Sequence, residues 1–116
     1  MEHSDWELVR QCKNGDREAF RELVERYQRK AVAIAFGIVH DREDALEIAQ
    51  EAFAKVFTGI QKFKEEASFY TWLYRITVNL AIDRQRQKNR PNASLVEPVL
   101  ALRLEKQVPR SDSKPS

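Results

Sequence analysis

The sequence predicts an all-α protein, a compact bundle of about four helices with an irregular C-terminal tail. Three observations predict it. Apolar residues recur every third or fourth position through most of the chain. No stretch alternates apolar and polar residues as a half-buried strand does. The chain has three glycines and four prolines, and no proline precedes Pro91, so its body contains few helix breakers. At 116 residues it has room for one domain with a proper core and not for two.

Ser4 followed by Glu7 has the spacing of a capping box and opens a short helix through about Lys13. Asn14-Gly15 ends it, because Gly15 takes a left-handed conformation without a Cβ clash. Asp16 caps a second, longer helix, whose apolar stripe is Phe20, Leu23, Val24, Tyr27, Ala31, Ile34, Ala35 and Ile38 and which ends near His40. Asp41 caps a third helix, with acids in its first turn that suit the positive end of the helix dipole. Ala45, Ala49, Ala52, Phe53 and Val56 form its buried face, Glu47, Gln50 and Glu51 fall on or near the outward side, and Gly59 is the expected stop. A short charged connector covers 60–67. Ser68 then caps a fourth helix with core positions Phe69, Leu73, Ile76 and Leu80, running to Asn89, where Pro91 forbids continuation. Beyond it, 95–104 is mildly apolar and 107–116 is polar with Pro and Ser. Residues 91–116 therefore read as a linker or frayed tail behind a domain of residues 1–90. There is no internal repeat.

The formal net charge of +2 does not point to a polyanionic partner, but its distribution is informative. Asp41, Glu43, Asp44, Glu47 and Glu51 stand against the single base Arg42, whereas 84–90 contains Arg84, Arg86, Lys88 and Arg90 and no acid. Two surfaces of opposite sign fit two partners, one basic and one anionic; the plainer account is two solvated helix faces. Cys12 is the only cysteine, which excludes an internal disulfide and a Cys-rich zinc site and leaves it as a small, partly buried helix residue. No apolar run approaches membrane-spanning length and the N-terminus lacks a signal peptide's hydrophobic segment, so a cytoplasmic protein without membrane insertion is expected.

Glu47 and Glu51 have the spacing of carboxylate metal ligands, but a bundle metal site wants Glu-x-x-His pairs on facing helices, and His3 and His40 have no such spacing. Glycine-rich phosphate loops, nucleophile elbows and HExxH are absent from the sequence. The expectation is a protein that is not an enzyme, with no metal, no cofactor and no catalytic residue.

The fourth helix carries the functional signal. Phe69, Tyr70, Trp72 and Tyr74 crowd its first turns, with Phe63 just upstream. Tyr70 and Tyr74 lie off the Phe69–Leu73–Ile76 face, and Trp72 straddles the two. Exposed rings next to Arg75, Arg84, Arg86, Lys88 and Arg90 are what a single-stranded nucleic-acid platform requires. Bases stack on such rings for about 1–3 kcal/mol each while cations hold the phosphates. The competing account is an aromatic core followed by a solvated basic tail.

Two ordered motifs carry a resemblance. Asp44-Ala-Leu-Glu-Ile-Ala-Gln50-Glu51-Ala-Phe53, then Ser68-Phe-Tyr-Thr-Trp72-Leu-Tyr-Arg75-Ile-Thr-Val-Asn79-Leu-Ala-Ile-Asp83-Arg84, resembles the second region of bacterial RNA polymerase sigma factors of the extracytoplasmic-function (ECF) group. The opening, with Gly15-Asp16, Glu18-Ala19-Phe20 and Tyr27, is similar to how that region begins, and the likeness covers about residues 5 to 90. It implies a compact helical bundle whose acidic third helix docks on the clamp helices of the polymerase β′ subunit, through Glu47, Gln50 and Glu51 with Asp44 beside them. It also implies that the fourth helix and the preceding loop bind the non-template strand of the promoter −10 element, with one base flipped into a pocket of that loop. Asn79 matches a position that helps read that base, and Trp72 an aromatic at the upstream edge of melted DNA. The candidate DNA contacts are Phe63, Lys64, Ser68, Phe69, Tyr70, Trp72, Arg75, Asn79, Arg84 and Arg86. An anti-sigma factor is a further implied partner. No ATP motif is required, since capturing a flipped base offsets a few kcal/mol of unstacking and binding energy selects the melted state.

Two departures from the family pattern bear on that role. Leu73 follows Trp72 where primary sigma factors carry paired tryptophans, which implies weaker and more sequence-demanding melting. Glu65 stands where many relatives have glycine, and a charged side chain there bears on the loop's conformation and its choice of base. The family's second helical domain, which reads the −35 element, has no counterpart after Pro91. Because 95–116 resembles the family's linker, the chain reads as an excised domain sooner than as a natural truncation. A rival reading is a protein-interaction module that mimics this fold, keeps the acidic docking helix and sequesters a partner without base-specific binding.

Overall fold

A computed structural model describes residues 3–89; the expected linker or tail over 91–116 and the basic residue Arg90 lie outside the described residues. Four α-helices follow one another: α1 (Asp5–Lys13), α2 (Arg17–Val39), α3 (Arg42–Gly59) and α4 (Phe69–Lys88), with a 3₁₀ turn at Ile60–Lys62. No strand occurs among the described residues, and the all-α expectation holds.

The helix starts fall where short-range chemistry places them. Ser4 Oγ accepts from the Glu7 N–H at 3.1 Å while Glu7 Oε1 accepts from the Ser4 N–H at 3.0 Å. The Ser4 bond, with His3 alongside, holds the Glu7 carboxyl below its ordinary value. Gly15 turns the chain at φ +91°, and Asp16 Oδ1 then accepts from the Glu18 and Ala19 N–H groups at 2.9 and 3.2 Å. His40 closes α2 in the left-handed region at φ 55°, its N–H donating to the Phe36 carbonyl. Asp41 accepts from the Asp44 N–H at 2.9 Å, and Ser68 Oγ accepts from the Thr71 N–H at 3.0 Å.

The described residues fall into two units, one up to Ile82 and one from Asp83. In the first, α2 lies along α3, an approach eased by small residues on both helices: Ala31 and Ala35 on α2, Ala45, Ala49 and Ala52 on α3, all buried. Leu8 and Val9 of α1 join Leu23, Phe53, Val56, Phe69 and Leu73 in the main core, and each large side chain fully buried there contributes about 1.5–3 kcal/mol. Ala35, Val39, Ala45, Ile48 and Ala81 form a smaller cluster. In the second unit the described residues are the last turns of α4, where Arg86 pairs with Asp83 at 2.8 Å and the Asn89 N–H closes on the Gln85 carbonyl.

Two details differ from the sequence expectation. The buried line of α4 is Phe69–Leu73–Thr77–Ala81, with Ile76 and Leu80 half-buried at its edge. Thr77 is tolerated at 0% exposure because its hydroxyl donates to the Leu73 carbonyl at 2.8 Å. On α2, Ala19 and Val39 are buried, while Ile34 and Ile38 of the predicted stripe are only half-buried. Gly59 ends α3, as expected. At φ −102° it passes the chain into the 3₁₀ turn, which ends at extended Phe63. A Cβ at Gly59 would lie 3.5 Å from Trp72 Cζ2, an ordinary contact.

Among the described residues no helix is long and apolar enough to cross a membrane.

Candidate functional site

The inward line of α3 turns Glu47, Gln50 and Glu51 to solvent, and Asp44 is half-buried in the first turn. Beside them runs a groove of about 620 Å³ between α2 and α3, lined among others by Phe20, Val24, Val32, Leu46, Gln50 and Phe57. Leu46 is 36% and Phe57 51% exposed, and Phe57 meets Phe20 edge-on at 5.0 Å. An open apolar groove rimmed by polar residues is the form of a protein-docking surface. The sequence motif points only to the polar rim of this groove. Leu46 and Phe57 were legible as apolar residues off the buried face of an amphipathic helix, a signal masked by the acidic residues around Leu46.

The loop before α4 corrects two assignments. Phe63 is 7% and Phe69 1% exposed, so neither ring has a face free for a base; both belong to the core. Phe63 stacks on both tryptophans: on Trp72 at 4.3 Å and 7° between planes, and on Trp6 at 5.7 Å and 15°. Phe69 meets Trp72 edge-on at 6.1 Å. Trp72 is thus half-buried, with Phe63 stacked on its ring. Lys64, Glu65 and Glu66 are exposed. Ser68 is exposed as well, though its hydroxyl also serves the start of α4, accepting from the Thr71 N–H and donating to Thr71 Oγ1 at 2.9 Å.

The expected single aromatic platform is divided. At about 100° per residue, Trp72, Arg75 and Asn79 share one flank of α4, while Tyr70 lies about 160° round the helix from Trp72. Arg75 and Asn79 are exposed. On the opposite flank Tyr70 packs on Tyr27 of α2 at 5.8 Å, with Lys30 Nζ 5.3 Å from its ring centre, and Tyr74 follows at 46% exposure. Tyr27 is itself fixed: its hydroxyl donates to Asp5, and Arg26 bridges Asp5 at 2.7 Å and Glu22 at 3.2 Å. Burial, reinforced by the Asp5 hydrogen bond, pushes the Tyr27 phenol up to about 12. Arg84 and Arg86 belong to the second unit and are half-buried, with Arg86 held by Asp83.

No group of three or more His, Cys, Asp or Glu residues that could hold a metal occurs among the described residues.

The family described as Sigma-70 region 2 matches residues 23–91. The RNA polymerase sigma-H factor of Pseudomonas aeruginosa is 41% identical over 80 residues, covering 69% of this chain and 42% of that protein. The ECF RNA polymerase sigma factor SigW of Bacillus subtilis is 40% identical over 80 residues, with coverages of 69% and 43%. The ECF RNA polymerase sigma-E factor of Escherichia coli K12 is 38% identical over 99 residues, with coverages of 84% and 51%. The chain spans about half the length of these curated relatives. Among solved structures, an NMR structure of an engineered region 2 of sigmaE in complex with GTAAAA aligns with a TM-score of 0.73 at 34% identity, covering 81% of this chain and 100% of that one. A family match over more than half the chain, relatives near 40% identity and a shared helical architecture agree: this chain belongs to the sigma-70 region 2 family, within the ECF group of transcription initiation factors, and is not an enzyme.

Proposed function

We propose that this chain is the part of a cytoplasmic ECF sigma factor that docks on core RNA polymerase and captures the non-template strand of the promoter −10 element. The observation that carries the DNA half is the Trp72–Arg75–Asn79 flank of α4, in a chain whose structural neighbour is a complex with GTAAAA. Trp72, half-buried on this flank, stacks with a base at the edge of the melted segment. Arg75 neutralises phosphate, and the Asn79 amide, both donor and acceptor, reads a base edge. The loop 63–68 receives a flipped base through its exposed residues, Lys64 and Ser68 among them, with Phe63 and Phe69 buried behind them as support. Arg84 and Arg86 add phosphate contacts, which carry the salt dependence of binding.

The polymerase half rests on α3. Glu47, Gln50 and Glu51, with Asp44, supply charge and amide groups for the basic β′ clamp helices, and the groove around Leu46 and Phe57 supplies the apolar area that charge alone lacks. An anti-sigma factor is the regulatory partner of this reading.

Fluorescence titration with GTAAAA and its single-base variants tests the DNA assignment. Trp72→Ala and Asn79→Ala are expected to weaken GTAAAA binding by about 10-fold, the size of one stacking or base-edge contact. Equal affinity across wild type and both variants would sink it. Wild type that binds every hexanucleotide alike would instead favour the sequestering protein-interaction module. Docking is tested by co-migration with core polymerase on a sizing column; an undiminished complex for the Gln50→Ala, Glu51→Ala double variant refutes the α3 assignment.

A further inference from the structure

The loop that leads into α4 is held from outside, by α1. Lys13 Nζ donates to the Phe63 carbonyl at 2.5 Å, a part-buried bond across 50 residues of sequence. Gln61 Nε2 returns a bond to the Lys13 carbonyl at 2.8 Å, so the same residue of α1 is engaged by its side chain and its backbone. Arg10 lies 3.4 Å from the Glu65 carboxylate, and Trp6 stacks on Phe63. Trp6, Arg10 and Lys13 follow one another at the four- and three-residue steps of a single helix face. That face of α1 thus meets the loop at its first residue and at its third.

These contacts are unequal. Arg10 and Glu65 are 58% and 49% exposed, and an ion pair so open to water and salt contributes little. The Lys13 bond is charge-assisted, short and part-buried, which makes it the strong one. Its acceptor is also the informative atom. The Phe63 carbonyl belongs to the peptide plane shared with Lys64, and Phe63 is the extended residue at which the chain leaves the 3₁₀ turn. Fixing that plane sets the direction in which 64–67 departs, over a stretch with neither glycine nor proline.

We infer that Lys13 is a positioning residue for base selection: by holding the Phe63 carbonyl it fixes the departure of the loop and thereby which base the loop accepts. This rests on the reading of 63–68 as the base-receiving loop. Lys13 itself contacts no nucleic acid in this scheme.

The test uses the full 116-residue chain, with Lys13→Met, Lys13→Arg and Glu65→Gln compared with wild type. One arm needs no nucleic acid: backbone order parameters for 64–67 by NMR relaxation. The expected values fall from about 0.85 to below about 0.6 in Lys13→Met and stay near wild type in Lys13→Arg, with α2 and α3 unchanged in both. The second arm is the ratio of affinities for GTAAAA over its single-base variants. That ratio is expected to drop about 5-fold in Lys13→Met, to be kept by Lys13→Arg, and to shift less than about 2-fold in Glu65→Gln. A Lys13→Met chain with a wild-type loop, or one with a loosened loop and full base discrimination, overturns the inference. If wild type itself shows no discrimination, the −10 reading fails, and the order parameters separate that failure from failure of the brace.

Discussion

The rings of Phe63 and Trp72 lie 4.3 Å apart and within 7° of parallel, so the aromatic residue closest in type to a base-stacking group is backed by a buried one. Phe63 supports Trp72 where the sequence alone offered it as a second exposed ring. The proposed DNA contact therefore depends on a residue that no base can reach.

Phe63→Ala is consequently expected to destabilise the fold by about 3 kcal/mol, as removal of a buried ring does, and to weaken GTAAAA binding as well. Phe63→Leu should recover most of the stability. Denaturant unfolding followed by tryptophan emission checks this, since both tryptophans stack on Phe63. Loss of binding with unchanged stability would return Phe63 to the exposed surface.

The two turn-associated glycines should respond in opposite directions. Gly15 sits at φ +91°, where a Cβ is strained, so Gly15→Ala is expected to cost about 1–2 kcal/mol. Gly59 is helical, and a Cβ there meets Trp72 at an ordinary 3.5 Å. Gly59→Ala should stabilise by about 0.5–1 kcal/mol through reduced backbone entropy. Paired thermal melts decide both.

Tyr27 couples stability to alkaline pH. Its phenol is raised from 10.0 to about 12, first by burial and then by its hydrogen bond to Asp5. A folded value above the unfolded one means the stabilisation is complete below 10 and disappears as pH rises toward 12. Urea midpoints measured across that interval should fall for wild type. The Tyr27→Phe chain, less stable at neutral pH, should lack this component of the fall, and its tyrosinate absorbance should lack the step near 12.

Cys12 should be a slow thiol. It is buried at 8% exposure, and burial, with Asp16 nearby, pushes its thiol up to about 11. At about pH 8, reaction with a disulfide reagent is expected to be on the order of 100-fold slower than for a free cysteine of pKa about 8.5, and to reach that rate in denaturant. Fast labelling of the native chain would show that the α1 side of the core opens readily.

What the sequence by itself determined is whatever acts over a few residues. Ser4 with Glu7, Asp16, Asp41 and Ser68 begin helices because a side chain reaches a backbone N–H two or three residues away, so spacing alone identifies them. The inward face of α3, and with it the exposure of Glu47, Gln50 and Glu51, follows from apolar periodicity in the same way. The ordered pair of motifs placed the chain in its family on the same local terms. Only the tertiary structure decided which flank of α4 is covered and by what. Phe63 and Phe69 are buried because Trp6 and Tyr27, remote in sequence, arrive beside them. Tyr70 is covered because α2 takes its flank of the helix and sets Tyr27 against it. Thr77 enters the core because a local hydroxyl bond removes its polar cost, and Leu46 and Phe57 stay open because the α2–α3 packing leaves a groove there. Lys13 reaches the loop across 50 residues, a pairing that periodicity cannot encode, since it depends on where two helices are brought together by the apolar surface they bury between them.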